Sequence, residues 1–227
     1  MIGGIILDFD GLILDTEGPV YQSWDELYQE YGTELPFEEW ATIIGTSNKE
    51  HFDPFKKLEA KIGRPLDRQA LVPRRYAREL DLCYAQPILP GVREVIEAAR
   101  EMGLKLAIAS SSSRQWVAGH LTRLGLDHYF EVVHTSDDVE RTKPDPALYV
   151  LTLRTLNLRP TEAIVFEDSP NGVAAAKAAG IFVVAVPNPV TRQLSLDHAD
   201  LRLDSLADLS LGEIIARVDH AEQRKGG

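Results

Sequence analysis

Ile2-Gly3-Gly4-Ile5-Ile6-Leu7-Asp8-Phe9-Asp10-Gly11 is the stretch on which the reading of this chain turns. The apolar run from Ile2 to Leu7 is short enough to be a strand buried on both faces of a parallel sheet. It passes directly into two carboxylates separated by one residue. Ligands of open parallel sheets bind beyond the carboxyl ends of the strands, which puts Asp8 and Asp10 at the expected functional edge. Gly11 lets the backbone turn sharply or approach a ligand closely. Taken alone, the two acids are explained equally well as a loop that caps a turn.

Working outward, apolar runs alternate with amphipathic ones from residue 87 onward, the pattern of parallel βα units with helices on both faces of a sheet. Strands are expected at Leu104 to Ala109, Phe130 to Val133, Ala163 to Phe166, Phe182 to Val186 and Leu201 to Leu203. Helices are expected to begin near Gly91, Arg114, Pro146 and Asn171, with Gly103, Gly125 and Gly180 at helix ends. Residues 16–86 break this rhythm. They read as successive helices, Pro19 to Tyr31, Phe37 to Ile44, Lys49 to Ile62, and one N-capped by Asp67 running to about Cys83. The expected organisation is therefore an α/β core of residues 1–15 and 87–227 with an all-helical insertion at 16–86, returning through a hinge flanked by Pro87 and Pro90. The insertion is electrically split, with no Lys or Arg in residues 17–48 and a dense basic run from Lys49 to Arg78. Two solvated helix faces would account for that, and so would a basic lip that attracts an anionic substrate.

The chain has 227 residues, 44% hydrophobic and 26% charged, the composition of a folded globular protein. Its net charge of -11 disfavours nucleic acid and anionic membrane surfaces. Cys83 is the single cysteine, which excludes an internal disulfide or a CxxC zinc site. No basic segment leads into an apolar run of signal length, and no stretch approaches the roughly 20 apolar residues of a membrane span. A cytoplasmic protein is expected, as a monomer with a dimer left open.

Three further strand ends carry chemistry. Ser110 follows Leu104 to Ala109 and can donate a hydrogen bond to an anionic oxygen, although it or Ser111 to Ser113 can equally cap a helix. Lys143 sits in a proline-bounded turn, Thr142-Lys143-Pro144-Asp145-Pro146. Ala163 to Phe166 delivers Glu167-Asp168-Ser169 ahead of a helix. Acids, a lysine and a hydroxyl at successive strand ends of one sheet suit phosphoryl transfer. Asp8 is the candidate nucleophile, since a carboxylate splits the displacement in two through an acyl phosphate. Asp10 is the candidate acid and base for the leaving oxygen and for water. Asp8 and Asp168 supply the hard oxygen ligands that magnesium prefers. Lys143 and Ser110 would hold the non-bridging phosphate oxygens. Glu167 is placed with the metal set, or orients Lys143 or an ordered water; a solvated loop acid explains it as well.

In order and spacing, DFDGLILDTE, AIASSSS, KPDP and VFEDSPNGVAAAKAAG resemble the four motifs of the haloacid dehalogenase-like hydrolase superfamily, over essentially the whole chain. The resemblance implies a Rossmann-like parallel-sheet core with a helical cap. It also implies magnesium dependence, an aspartyl-phosphate intermediate, and metal ligation by the Asp8 side chain, the Asp10 carbonyl and Asp168. Gly11, Thr16 and Ser111, with Asn48 and Lys49 from the cap, are expected to contact a small phosphorylated substrate. Asp10 is the residue that the superfamily's dehalogenases lack, which disfavours dehalogenation. The subgroup it resembles includes β-phosphoglucomutase, whose motif carries a histidine where this chain has Val20 and a G-x-S-R segment where it has Gly45-Thr46-Ser47-Asn48. Lys49 is one residue out of register with that arginine. The expected function is a phosphatase of a small metabolite; a sugar phosphomutase and a catalytically idle binding fold are its rivals.

Overall fold

The computed structural model describes residues 1–41 and 53–225. Six strands form one parallel sheet: β1 (Gly4–Leu7), β2 (Lys105–Ala109), β3 (Val132–His134), β4 (Ala163–Glu167), β5 (Phe182–Ala185) and β6 (Leu201–Arg202), in the order β3-β2-β1-β4-β5-β6. All the strands expected from sequence form, with small shifts at their ends. Strand order reverses direction at β1, which pairs with β2 on one side and β4 on the other. The reversal opens a crevice at the carboxyl ends of β1 and β4.

Strand side chains alternate between two apolar layers, as the period of two requires. Ile5, Leu7, Ile108, Ile164 and Phe166 pack under α5 (Val92–Glu101), α6 (Arg114–Leu124) and α9 (Leu211–Lys225). Ile6, Ala107, Val165 and Val183 pack under α7 (Ala147–Leu156) and α8 (Pro170–Ala178). Both faces are covered, so the central strands are apolar along their middles and polar groups are left to collect at the edge.

Between β1 and α5 lie α1 (Glu17–Glu30), α2 (Phe37–Ala41), α3 (Pro54–Ile62) and α4 (Arg68–Tyr84). They have their own apolar cluster of Trp24, Leu27, Tyr28, Leu35, Trp40, Phe55, Leu58 and Leu71, joined by Val190 from the segment after β5. The sequence reading starts the third of these helices at Lys49; α3 instead starts at Pro54. Asp53 is extended there and its side chain accepts from Lys56 N, an N-cap followed by proline at the first helical position. Lys49, together with Asn48 and the Gly45 to Ser47 segment, lies outside the described residues.

In the described part of this region, much of the split charge is paired between helices on partly exposed side chains. Arg78 pairs with Glu26 at 2.7 Å, Arg68 with Asp53 and Glu59 at 2.8 and 2.7 Å, Arg74 with Glu30, and Lys57 with Glu39. Basic residues of α3 and α4 thus meet acids of α1, α2 and α3 within the insertion. Exposed pairs contribute roughly 0–1 kcal/mol each, so their main effect is to select which helix faces meet.

The two crossings between insertion and sheet run side by side. Leu14 bridges Ile88 antiparallel, and Leu89 N donates to Ile13 O at 2.9 Å. Arg123 of α6 donates to the carbonyl of Tyr84 at 3.0 Å. Among the described residues no helix is long and apolar enough to cross a membrane.

Candidate active site

Asp8 follows the last paired residue of β1, and its backbone N donates to Phe166 O at 3.0 Å. That register sets it abreast of Glu167, the last residue of β4, with Asp168 just beyond. Carboxylate oxygens of Asp8, Glu167 and Asp168 lie within 4.8 Å of one another, and all three residues are buried. Lys143 enters from the proline-bounded turn, where Asp145 N closes onto Thr142 O and the Lys143–Pro144 peptide is cis. Its ammonium donates to Asp8 Oδ1 and to Glu167 Oε1, both at 2.6 Å, with its side chain only 5% exposed.

One ammonium facing this many acids leaves negative charge unbalanced. Burial, and then the Glu167 charge, push Asp8 up to about 7 despite the opposing pull of Lys143. Asp168 is raised well above the usual carboxylate range, by burial first and then by Asp8 and Glu167. Burial works against the Lys143 charge, but Asp8 and Glu167 outweigh it and hold the ammonium protonated. A hard divalent cation fits this set: converging carboxylate oxygens, water-poor surroundings and surplus negative charge.

Glu167 is held at both oxygens. Oε1 accepts from Lys143 and from Tyr149 OH at 2.5 Å, and Oε2 accepts from Asp168 N, Ser169 N and Ser169 Oγ at 3.1, 3.4 and 3.2 Å. Burial and the Glu167 charge raise the Tyr149 phenol well above its ordinary value, keeping it a donor. Gly172, in the first turn of α8, is packed so closely that a Cβ there would lie 1.9 Å from the Glu167 carboxyl.

Asp10 points to the neighbouring strand end. Its carboxylate accepts from Ser112 Oγ at 2.6 Å, Trp116 Nε1 at 2.8 Å and Ser110 Oγ at 3.4 Å. Ser110 is fully buried and also accepts from Ser112 N at 3.0 Å, so it is engaged with Asp10 and its own turn. Ser111 is exposed, and Ser113 is the N-cap of α6. Thr16 is buried at the N-cap of α1 without a side-chain cap bond. Gly11 takes φ +76, and its carbonyl accepts from Asn188 Nδ2 at 3.4 Å.

The sequence-predicted residues therefore divide. Asp8, Lys143, Glu167 and Asp168 form one cluster, and Asp10 with Ser110 forms a second beside it. Sequence reasoning passed over Tyr149, Trp116 and Asn188. Each contacts its partner acid across a long stretch of chain, and the only local signal is the strand-end position of Asn188, in the turn Pro187-Asn188-Pro189 after β5.

The chain belongs to the haloacid dehalogenase-like hydrolase family, which it matches over residues 5–186. Within that family it is an enzyme of the phosphatase class. A Bacillus subtilis protein named "Putative phosphatase YhcW" is 44% identical over 219 residues, spanning 96% of this chain and 99% of that one. The "Phosphorylated carbohydrates phosphatase" of Thermotoga maritima is 34% identical over 180 residues, 78% of this chain and 81% of its own. A crystal structure named as a "putative beta-phosphoglucomutase" from Thermotoga maritima superposes with a TM-score of 0.77 at 28% identity, covering 95% of this chain and 99% of its own.

Proposed function

We propose that the chain is a magnesium-dependent phosphatase of a small phosphorylated sugar or similar metabolite, working through an aspartyl phosphate on Asp8. The observation that carries this is the Lys143 ammonium 2.6 Å from both Asp8 and Glu167 inside a buried cluster completed by Asp168. The name of the Thermotoga maritima relative supports the substrate class. Residues 1–15 and 87–227 serve as the core and 16–86 as the cap.

One Asp8 oxygen attacks phosphorus and the sugar oxygen departs. Asp10 gives that oxygen a proton and then takes one from the water that cleaves the acyl phosphate. Lys143 holds Asp8 in place and offsets charge gathering on the phosphoryl oxygens. Glu167, which accepts five hydrogen bonds, orients Lys143 and stands with Asp8 and Asp168 in the set of carboxylates that would hold the metal. Asp8, Asp168 and the Asp10 carbonyl would hold magnesium, which would supply Lewis-acid stabilisation of the transferring phosphoryl group. Gly11, Thr16 and Ser111 border the substrate, and Asn48 and Lys49 contribute to its selection.

Val20 separates this reading from a mutase. Half-buried on α1, it packs against the insertion's apolar cluster, and its side chain has no group to hydrogen-bond a sugar hydroxyl. Incubation with β-glucose 1-phosphate, magnesium and a trace of glucose 1,6-bisphosphate, with both products assayed, is expected to release inorganic phosphate. Rapid formation of glucose 6-phosphate with little free phosphate would replace this reading by the mutase.

Metal binding has a pH signature. An Asp8 with a pKa of about 7 must lose its proton before it can receive a cation. Magnesium affinity, titrated calorimetrically, is expected to rise with pH, by at least about tenfold per unit below that value. A constant affinity from pH 5 to 7 would mean that Asp8 is already ionised.

A further inference from the structure

Asn188 lies in the loop that leaves β5, and its side chain is fixed from both ends. Its Oδ1 accepts from Val190 N and Thr191 N, each at 2.9 Å. Two backbone donors on one atom settle which end of the amide is oxygen, so the other end must be the NH2 group. That group donates to Asp168 Oδ2 at 2.7 Å and reaches Gly11 O at 3.4 Å. The loop is clamped in turn, because Asn188 N donates to Thr191 Oγ1 at 3.0 Å and Val190 is buried in the apolar cluster of the insertion.

We propose that Asn188 is a positioning residue for Asp168, occupying one carboxylate oxygen so that the other is turned toward the metal. This rests on the magnesium reading given above. The terminal torsion of an aspartate is broad, and an unrestrained carboxylate samples orientations that present either oxygen or both. The amide removes that freedom before any cation arrives. Gly11 is part of the same fitting: a Cβ there would lie 2.4 Å from both Asn188 Nδ2 and Asp168 Oδ2. The turn that carries Asp10 can therefore close over the Asn188–Asp168 hydrogen bond only with glycine at that position.

A merely structural Asn188 would staple its loop through Oδ1 alone, and the two roles are separable. Asn188→Ser keeps a short acceptor able to bind the backbone N–H groups two and three residues on, but is too short to reach Asp168. Asn188→Ala removes both functions and serves as the second variant. Thr191→Val loosens the loop by deleting the Thr191 Oγ1 acceptor while leaving the Asn188 amide intact. Magnesium affinity is measured by calorimetry and manganese affinity by spin resonance of the free ion, with the thermal midpoint of each metal-free protein alongside.

Asn188→Ser and Asn188→Ala are expected to lose about 10- to 100-fold in affinity for both ions, the range for groups that orient metal ligands. Thr191→Val is expected to stay within about twofold of wild type, a shift of under 0.5 kcal/mol. Wild-type affinity in Asn188→Ser, or an equal loss in Thr191→Val, overturns the assignment. Asp168→Ala tells the two levels apart. If it binds magnesium as wild type does, the metal reading itself falls and this inference with it; if it loses binding while Asn188→Ser does not, only the role of Asn188 falls.

Discussion

Asp8→Asn is expected to reduce phosphatase turnover by roughly 10⁴-fold or more, the scale on which removal of a nucleophile acts. The amide is a poor nucleophile, and it withdraws a charged oxygen from the cluster shared with Glu167 and Asp168. The substitution is isosteric and relieves crowding among buried acids. The variant is accordingly expected to fold and to melt no lower than the metal-free wild type at neutral pH. Single-turnover phosphate release from a phosphomonoester, with circular dichroism as the check on folding, measures both. Activity within tenfold of wild type in a folded variant would remove Asp8 from the chemistry.

Lys143→Ala carries the second largest expected effect. Its ammonium is a fixed charge already desolvated, so it contributes at the moment of reaction without reorganising. Loss of about 10² to 10³ in kcat is expected, with substrate KM changing far less, since the interaction strengthens as charge develops on the phosphoryl oxygens. Stability should also fall at neutral pH, because Asp8 and Glu167 lose the cation between them. Magnesium in excess is expected to recover part of that stability. A kcat within threefold of wild type would show that Lys143 only balances charge in the resting protein.

What the sequence made legible follows from what is local. The strands are continuous apolar runs, and a parallel sheet covered on both faces needs nothing subtler, so Ile5 to Leu7 and Ala163 to Phe166 could be read directly. Acids at strand ends stand out because packing gives no reason for them, which is how Asp8 and Asp168 were found. The helix start at Asp53 was missed because an Asp-Pro pair inside a helical pattern has to be recognised as a cap with its first residue. The charge pairing is not legible for a different reason: Arg78 and Glu26 are distant in sequence and meet only once α1 and α4 pack. Tyr149 reads as a core aromatic and Asn188 as a turn residue. Each is that as well, and only the folded sheet brings its polar end to a carboxylate.

The pairing of Leu14 with Ile88 has a consequence for how such an enzyme can change. For the sheet, everything between those two residues is a detour that departs from and returns to one place. The entropy of closing a detour grows only with the logarithm of its length, about 0.6 kcal/mol for each doubling. Helices can be lengthened, exchanged or recharged there while Asp8, Asp168 and the turn that carries Lys143 keep their spacing. Changes in the detour are thereby separable from changes in the sheet.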